Sequence, residues 1–344
     1  MKAKVAKVII FCICLALALT GISRILMYKY PESIGAWKEY YAEKADLDVM
    51  LFGSSHVLRQ INPAIIYHEK GIAGYDIATG GEAIWTTYYS MEEALKYQHP
   101  KVALVDVYML NKGDLYDDTH NVTATFGMKR SLTWFKSILA SVPEHKIYYV
   151  TRYPLYHTRY KSLTADDFKT DDELFRDIIK GFLVDENHWI THKMADISGM
   201  NYTDKVSDKP FPPRVEKYLN KIVGLAKEKG IKLVFIQTPY YCSEETAAQF
   251  NVLTKYVDNE NVFYWDCNRD IDVMQLDSDV DFRDDNHLNW IGSQKLSRYL
   301  ADRLSSEFSF EDHRGDQSYS SFEADYQHYC DLLEEFGNND QKKN

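Results

Sequence analysis

Val49-Met50-Leu51-Phe52-Gly53-Ser54-Ser55-His56 is the stretch that decides how this chain folds. Four consecutive apolar residues stopping at a glycine are the pattern of a strand buried on both faces, as in a parallel sheet. Gly53 permits a sharp exit, which leaves Ser54 and Ser55 at the carboxyl end of that strand, where α/β proteins collect their functional groups. A helix starting after Ser55 would aim backbone N–H groups at developing negative charge. Serine is also a common helix N-cap, so this segment alone does not decide between chemistry and capping.

The same rhythm recurs downstream. A second strand is expected over Tyr75 to Thr79, ending in Gly80-Gly81, followed by a helix from Ala83 to Tyr97. Val102 to Val107, after Pro100, reads as a third strand. Val215, Leu219, Ile222 and Ala226 share one helical face, and Gly230 stands where a C-terminal glycine closes a helix. Strands over Lys232 to Gln237 and Asn261 to Trp265 come next, then a last helix with Leu296, Leu300 and Leu304 on one stripe. Strands alternating with helices predict an α/β domain with a doubly wound parallel sheet and right-handed crossovers. Residues 112–209 lack the alternation and read as an insertion, with a helix expected around Leu174 to Phe182.

The second chemical element is Asp284-Asp285-Asn286-His287-Leu288-Asn289, just before the last helix. A hydroxyl nucleophile needs a base within hydrogen-bond reach, and the base needs a carboxylate that fixes its tautomer. Asp284 and His287, three apart on a tight turn, can supply both. The turn follows the last predicted strand, which puts His287 on the same sheet edge as Ser55.

Together these segments resemble the SGNH, or GDSL-like, hydrolase superfamily, and within it the membrane-anchored acyl-transfer branch that includes the D-alanyl-transfer protein of teichoic acid modification and the alginate acetylation proteins. Gly53-Ser54-Ser55 matches the family's Gly-Asp-Ser block, and Asp284-Asp285-Asn286-His287 its Asp-x-x-His block. The resemblance covers most of residues 46–306 outside the insertion. It implies a three-layer α/β/α, flavodoxin-like sheet, with Ser55 as nucleophile, His287 as base and Asp284 as its orienting carboxylate. The implied oxyanion hole uses the backbone N–H of Ser55 and of Gly81, with Asn111 as a stand-in third donor. Ser54 departs from the family's usual Asp, and Tyr108-Met109-Leu110-Asn111 replaces its Gly-x-Asn-Asp block. The implied activity is esterase or O-acyltransferase chemistry on an envelope polysaccharide or glycopolymer through an acyl-serine, with no cofactor and with a multi-spanning membrane O-acyltransferase as partner. A non-catalytic glycan-binding or scaffold subunit is the alternative, to which the insertion's Trp134, Tyr148, Tyr149, Tyr153, Tyr156 and Tyr160 are suited.

Composition narrows the remaining choices. With 344 residues, 45% hydrophobic, the chain can bury a large core, and its net charge of -11 argues against a nucleic-acid partner. Lys2, Lys4 and Lys7 precede an apolar run from Val8 to Ile22 that resumes at Ile25, Leu26 and Met27. This reads as a signal anchor over 1–27, with the rest of the chain translocated and a tether over 28–45. Cleavage after Ala16-Leu17-Ala18 would instead yield a secreted protein. Residues 307–344 read as an acidic, peripheral tail in which a helix is expected near Phe322 to Phe336. The five cysteines show no metal-type spacing. Asp277, Asp279 and Asp281 alternate as in a calcium loop, but Phe282 and Leu288 occupy the positions where such a loop needs Gly and Glu. No metal site is therefore expected.

Overall fold

Five parallel strands form the centre of the computed structural model, which describes residues 2–112, 118–184, 191–192 and 202–343. Numbered in chain order they are β1 (Val49–Gly53), β2 (Gly74–Ala78), β3 (Val102–Asp106), β4 (Lys232–Gln237) and β5 (Val262–Asp266). Their spatial order is β2-β1-β3-β4-β5, with Leu51 facing Asp76 on one side and Leu104 on the other. The three central apolar runs are wholly buried, as a sheet covered on both faces requires. The chain order reverses between β1 and β3, so their carboxyl ends open onto a topological switch point.

Side chains alternate between two cores. Met50, Phe52, Tyr75 and Phe235 pack with residues of the helices Ile84–Ala94 and Pro213–Lys229. Val49, Leu51, Leu104 and Ile236 pack with residues of the helices Pro63–Lys70 and Trp290–Glu307. The strand and helix expectations hold to within a few residues at their ends, and the domain is α/β with helices flanking a parallel sheet.

Three boundaries differ from the sequence reading. The segment 28–45 is not a loose tether: the helix Ala36–Ala42 buries Trp37 and Tyr40, and the Tyr40 hydroxyl donates to the Ala94 carbonyl at 2.7 Å. Surrounding lysines and glutamates hide this apolar pair in the sequence. The tail 307–344 is not peripheral either, because the helix Ser320–Lys343 buries Phe322, Tyr329 and Leu332. Finally, Leu174 to Phe182 is not one helix. The short helix Asp171–Leu174 is followed by a ribbon of Ile178–Ile179 and Phe182–Leu183. Lys180 (φ 48°) and Gly181 (φ 85°) turn the chain there, and the Lys180 carbonyl accepts from Asp76 N at 2.9 Å, covering the β2 edge. A Cβ on Gly181 would lie 1.8 Å from the Asp76 carbonyl oxygen. The parts of the expected insertion at 113–117, 185–190 and 193–201 lie outside the described residues.

At the N-terminus, the helix Lys2–Leu26 contains a 23-residue stretch, Lys4–Leu26, within which an 18-residue window has mean hydropathy 2.6 and none of that window is buried in the domain. It is long and apolar enough to cross a bilayer.

Candidate active site

The exit from β1 builds the first half of the site. Gly53 has φ 148°, and a Cβ there would meet the Asp106 Cβ at 2.5 Å, so only glycine lets β1 and β3 approach this closely. Ser54 caps the short helix Ser55–Leu58, its hydroxyl accepting from His56 N. That hydroxyl also donates to Asp106 Oδ2 at 2.5 Å, and Ser54 N donates to the same oxygen at 3.3 Å. Capping is thus the work of Ser54, and Ser55 is left free to face the crevice.

The second half comes from the turn between Phe282–Asp284 and His287–Leu288, which pair antiparallel. Asp284 Oδ1 accepts from Asn286 N at 2.8 Å, closing an Asx-type turn. Asn289 then caps the helix Trp290–Glu307 through Ile291 N and Gly292 N. This geometry folds Asp284 and His287 back on each other. His287 Nδ1 lies 2.9 Å from Asp284 Oδ1 and 3.1 Å from Oδ2, and its Nε2 lies 2.8 Å from Ser55 Oγ. Ser55, His287 and Asp284, separated by more than two hundred residues of chain, meet in one hydrogen-bonded line. Burial pushes the Asp284 carboxyl up, but the hydrogen bond and charge of His287, the Asn286 N–H and the Arg283 guanidinium outweigh it and hold the group well below its usual range. It is therefore ionised and able to hold the Nδ1 side of the His287 ring.

The other expected residues are placed less tightly. Gly81, φ 64°, follows β2 in a loop tied to β1 by the Thr79 N to Gly53 carbonyl bond of 3.2 Å. A Cβ on Gly81 would stand 2.8 Å from the His120 ring, so the insertion reaches over this loop. Asn111 lies in the 3-10 turn Tyr108–Lys112 after β3; its Oδ1 is buried and accepts no hydrogen bond among the described residues. The structure does not join it to Ser55 or Gly81.

Several contributors escape a motif-based reading. Asp106, at the carboxyl end of β3, has its carboxyl pushed up to about 6 by burial, against the lowering effect of the Ser54 hydroxyl and nearby N–H groups. An acid closing an apolar strand was the available signal. His56 is fully buried, stacked on Tyr108 with ring centroids 3.8 Å apart, and bonded through Nδ1 to Thr238 Oγ1 at 2.7 Å. The Tyr108 hydroxyl donates to Asn286 Oδ1 at 3.3 Å, and Gln60 Nε2 donates to the Asn286 carbonyl at 3.3 Å. These contacts brace the His287 turn against the Ser55 helix. In the acidic run Asp277, Asp279 and Asp281, the last carboxylate is buried and paired with Lys295 Nζ at 2.6 Å. Cys242 and Cys267 are buried free thiols.

No protein-family model matches the chain, and no curated protein is significantly similar to it.

Proposed function

We propose that this chain is a serine esterase or O-acyltransferase of the SGNH type, with a three-layer flavodoxin-like fold, that works from the membrane on an acylated envelope polysaccharide or glycopolymer. The observation carrying the proposal is the continuous Ser55–His287–Asp284 hydrogen-bonded line, at 2.8 and 2.9 Å, at the carboxyl edge of a parallel sheet. With Asp284 accepting from Nδ1–H, the Nε2 lone pair of His287 faces the Ser55 hydroxyl. Ser55 Oγ attacks the ester carbonyl as its proton passes to Nε2. The tetrahedral oxyanion falls to the backbone N–H groups of Ser55 and Gly81, each worth about 3 kcal/mol in such a hole. The leaving alcohol departs with the Nε2 proton, and acyl-Ser55 remains. Water or a sugar hydroxyl then gives its proton to His287 and takes the acyl group, restoring the serine. The first outcome is hydrolysis and the second transfer.

The N-terminal helix supports an extracytoplasmic domain on a single-pass anchor, and a multi-spanning acyltransferase is the partner such an arrangement suits. The test is labelling by a fluorophosphonate probe with p-nitrophenyl acetate turnover in parallel. Wild type is expected to react at Ser55, and Ser55→Ala and His287→Ala to lose both signals. A folded wild-type protein that neither labels nor turns over ester would overturn the reading.

A further inference from the structure

We propose that residues 159–172 rest in the phospholipid headgroup layer that holds the anchor, so that the domain sits on the bilayer surface and Ser55 meets acyl groups presented there. The proposal rests on reading Lys4–Leu26 as a membrane span.

The end of the anchor is bolted to this segment. Arg159 Nη1 donates to the carbonyls of Leu26 and Met27 at 3.2 and 3.3 Å, completing the end of the helix. Its guanidinium lies 4.2 Å from the Tyr28 ring centroid and pairs with buried Asp167 at 2.6 Å. Arg24, in the last turn of the helix, approaches Asp171 at 3.5 Å. Beyond the helix, Tyr30 packs edge-on against Phe126 at 5.4 Å, and Gly127 N donates to Ser33 Oγ at 2.9 Å. No free joint separates the span from the domain.

The same segment turns aromatic side chains outward. Phe168 is 65% exposed and Tyr160 64% exposed, although both lie within a few residues of the Arg159–Asp167 clasp. Exposed rings beside the end of a membrane-spanning helix are what an interfacial aromatic belt consists of. Arg159, Lys161 and Lys169 stand against Asp166, Asp167, Asp171 and Asp172 in the segment. Charge is nearly balanced, so the rings rather than anionic lipids would drive the contact.

The seating limits the reach of the nucleophile. Five residues lie between Leu26 and Glu32, so the chain from one to the other spans at most about 22 Å. Just beyond Glu32, Ala36 is buried in the same apolar cluster as Val57 and Leu58 of the short helix that starts at Ser55, and the Glu32 charge is felt by Arg59 at the end of that helix. A substrate at the membrane surface, carried by a lipid or a membrane-embedded protein, is within range, whereas polymer far out in the envelope is not.

The full-length protein in phosphatidylcholine nanodiscs tests this, with Cys12, Cys14 and Cys330 replaced by Ser and an environment-sensitive fluorophore on Phe168→Cys. The comparison site is Val273→Cys, 69% exposed and beyond β5, at the opposite edge of the sheet. Quenching by a headgroup spin-labelled lipid is expected to be severalfold stronger at 168 than at 273. Equal quenching overturns the proposal, as does recovery of the protein outside the nanodisc fraction. Fluorophosphonate labelling of Ser55 in the same samples reports on the triad separately.

Discussion

Glu82→Gln isolates one buried carboxyl that holds up the Gly80-Gly81 loop. Glu82 is 2% exposed, with Oε2 bonded to Thr79 Oγ1 at 2.9 Å and Oε1 to Ser90 Oγ at 3.1 Å. Burial pushes its pKa from 4.5 up to about 8, despite the hydroxyls that lower it. The folded state thus keeps a proton that the unfolded chain releases above 4.5. Stability from this group is fully present below pH 4.5 and is lost as pH rises through 8, at about 1.4 kcal/mol per pH unit between them. The interval of 3.5 units (8 minus 4.5) sets a ceiling of about 5 kcal/mol. Glutamine keeps the shape and cannot ionise. The stability difference, wild type minus variant, is expected to shrink by about 3 kcal/mol between pH 5.5 and 8, a relative shift of roughly 10 °C in melting temperature. Tryptophan-fluorescence melts of both proteins in one detergent across that range measure it. Parallel pH profiles for the two proteins would refute the buried-acid account.

Asp284→Asn should leave the fold intact and cut p-nitrophenyl acetate turnover by roughly a hundredfold to ten-thousandfold, because an amide no longer selects the Nδ1–H tautomer. A turnover number within about threefold of wild type would remove Asp284 from the mechanism. Gly53→Ala places a methyl 2.5 Å from the Asp106 Cβ at φ 148°. Its expected cost is about 3 kcal/mol or more from overpacking and backbone strain, read as a lower melting temperature and poor accumulation. An unchanged melt would show that β1 and β3 can separate freely.

The order of the sheet was legible because each central strand is a short apolar run ended by Gly, Pro or a polar residue, a pattern that buried parallel strands share. Ser55 and His287 were legible for a related reason: strand ends in such a sheet converge on one crevice. Segments whose partners are distant in the chain were not legible. Trp37 and Tyr40 look solvent-facing among their charged neighbours until Ala94 and Tyr75 are brought to them. The ribbon around Gly181 exists because it docks on the β2 edge, and nothing within residues 174–182 announces that edge. Asp106 escaped notice because its partner, the Ser54 hydroxyl, is supplied by another strand end.

Two imidazoles are candidates for the base of the proposed mechanism, and their surroundings separate them. The His56 and His287 rings lie 5.2 Å apart, both next to Ser55. Burial, together with the neighbouring His287 charge, pulls the pKa of His56 well below its usual value. Its Nε2 is buried and has no hydrogen-bond partner among the described residues, so a proton taken there would be unpaired and unsolvated. His287 instead has Asp284 on one nitrogen and Ser55 on the other. A ring held neutral by burial can pack beside the proposed base without repelling it when that base takes a proton. His56→Phe should therefore keep the stack on Tyr108, lose the bond to Thr238 at a cost of about 1 kcal/mol, and retain fluorophosphonate labelling within about tenfold of the wild-type rate. A folded His56→Phe protein that fails to label, beside a His287→Phe protein that still does, would reverse the two assignments.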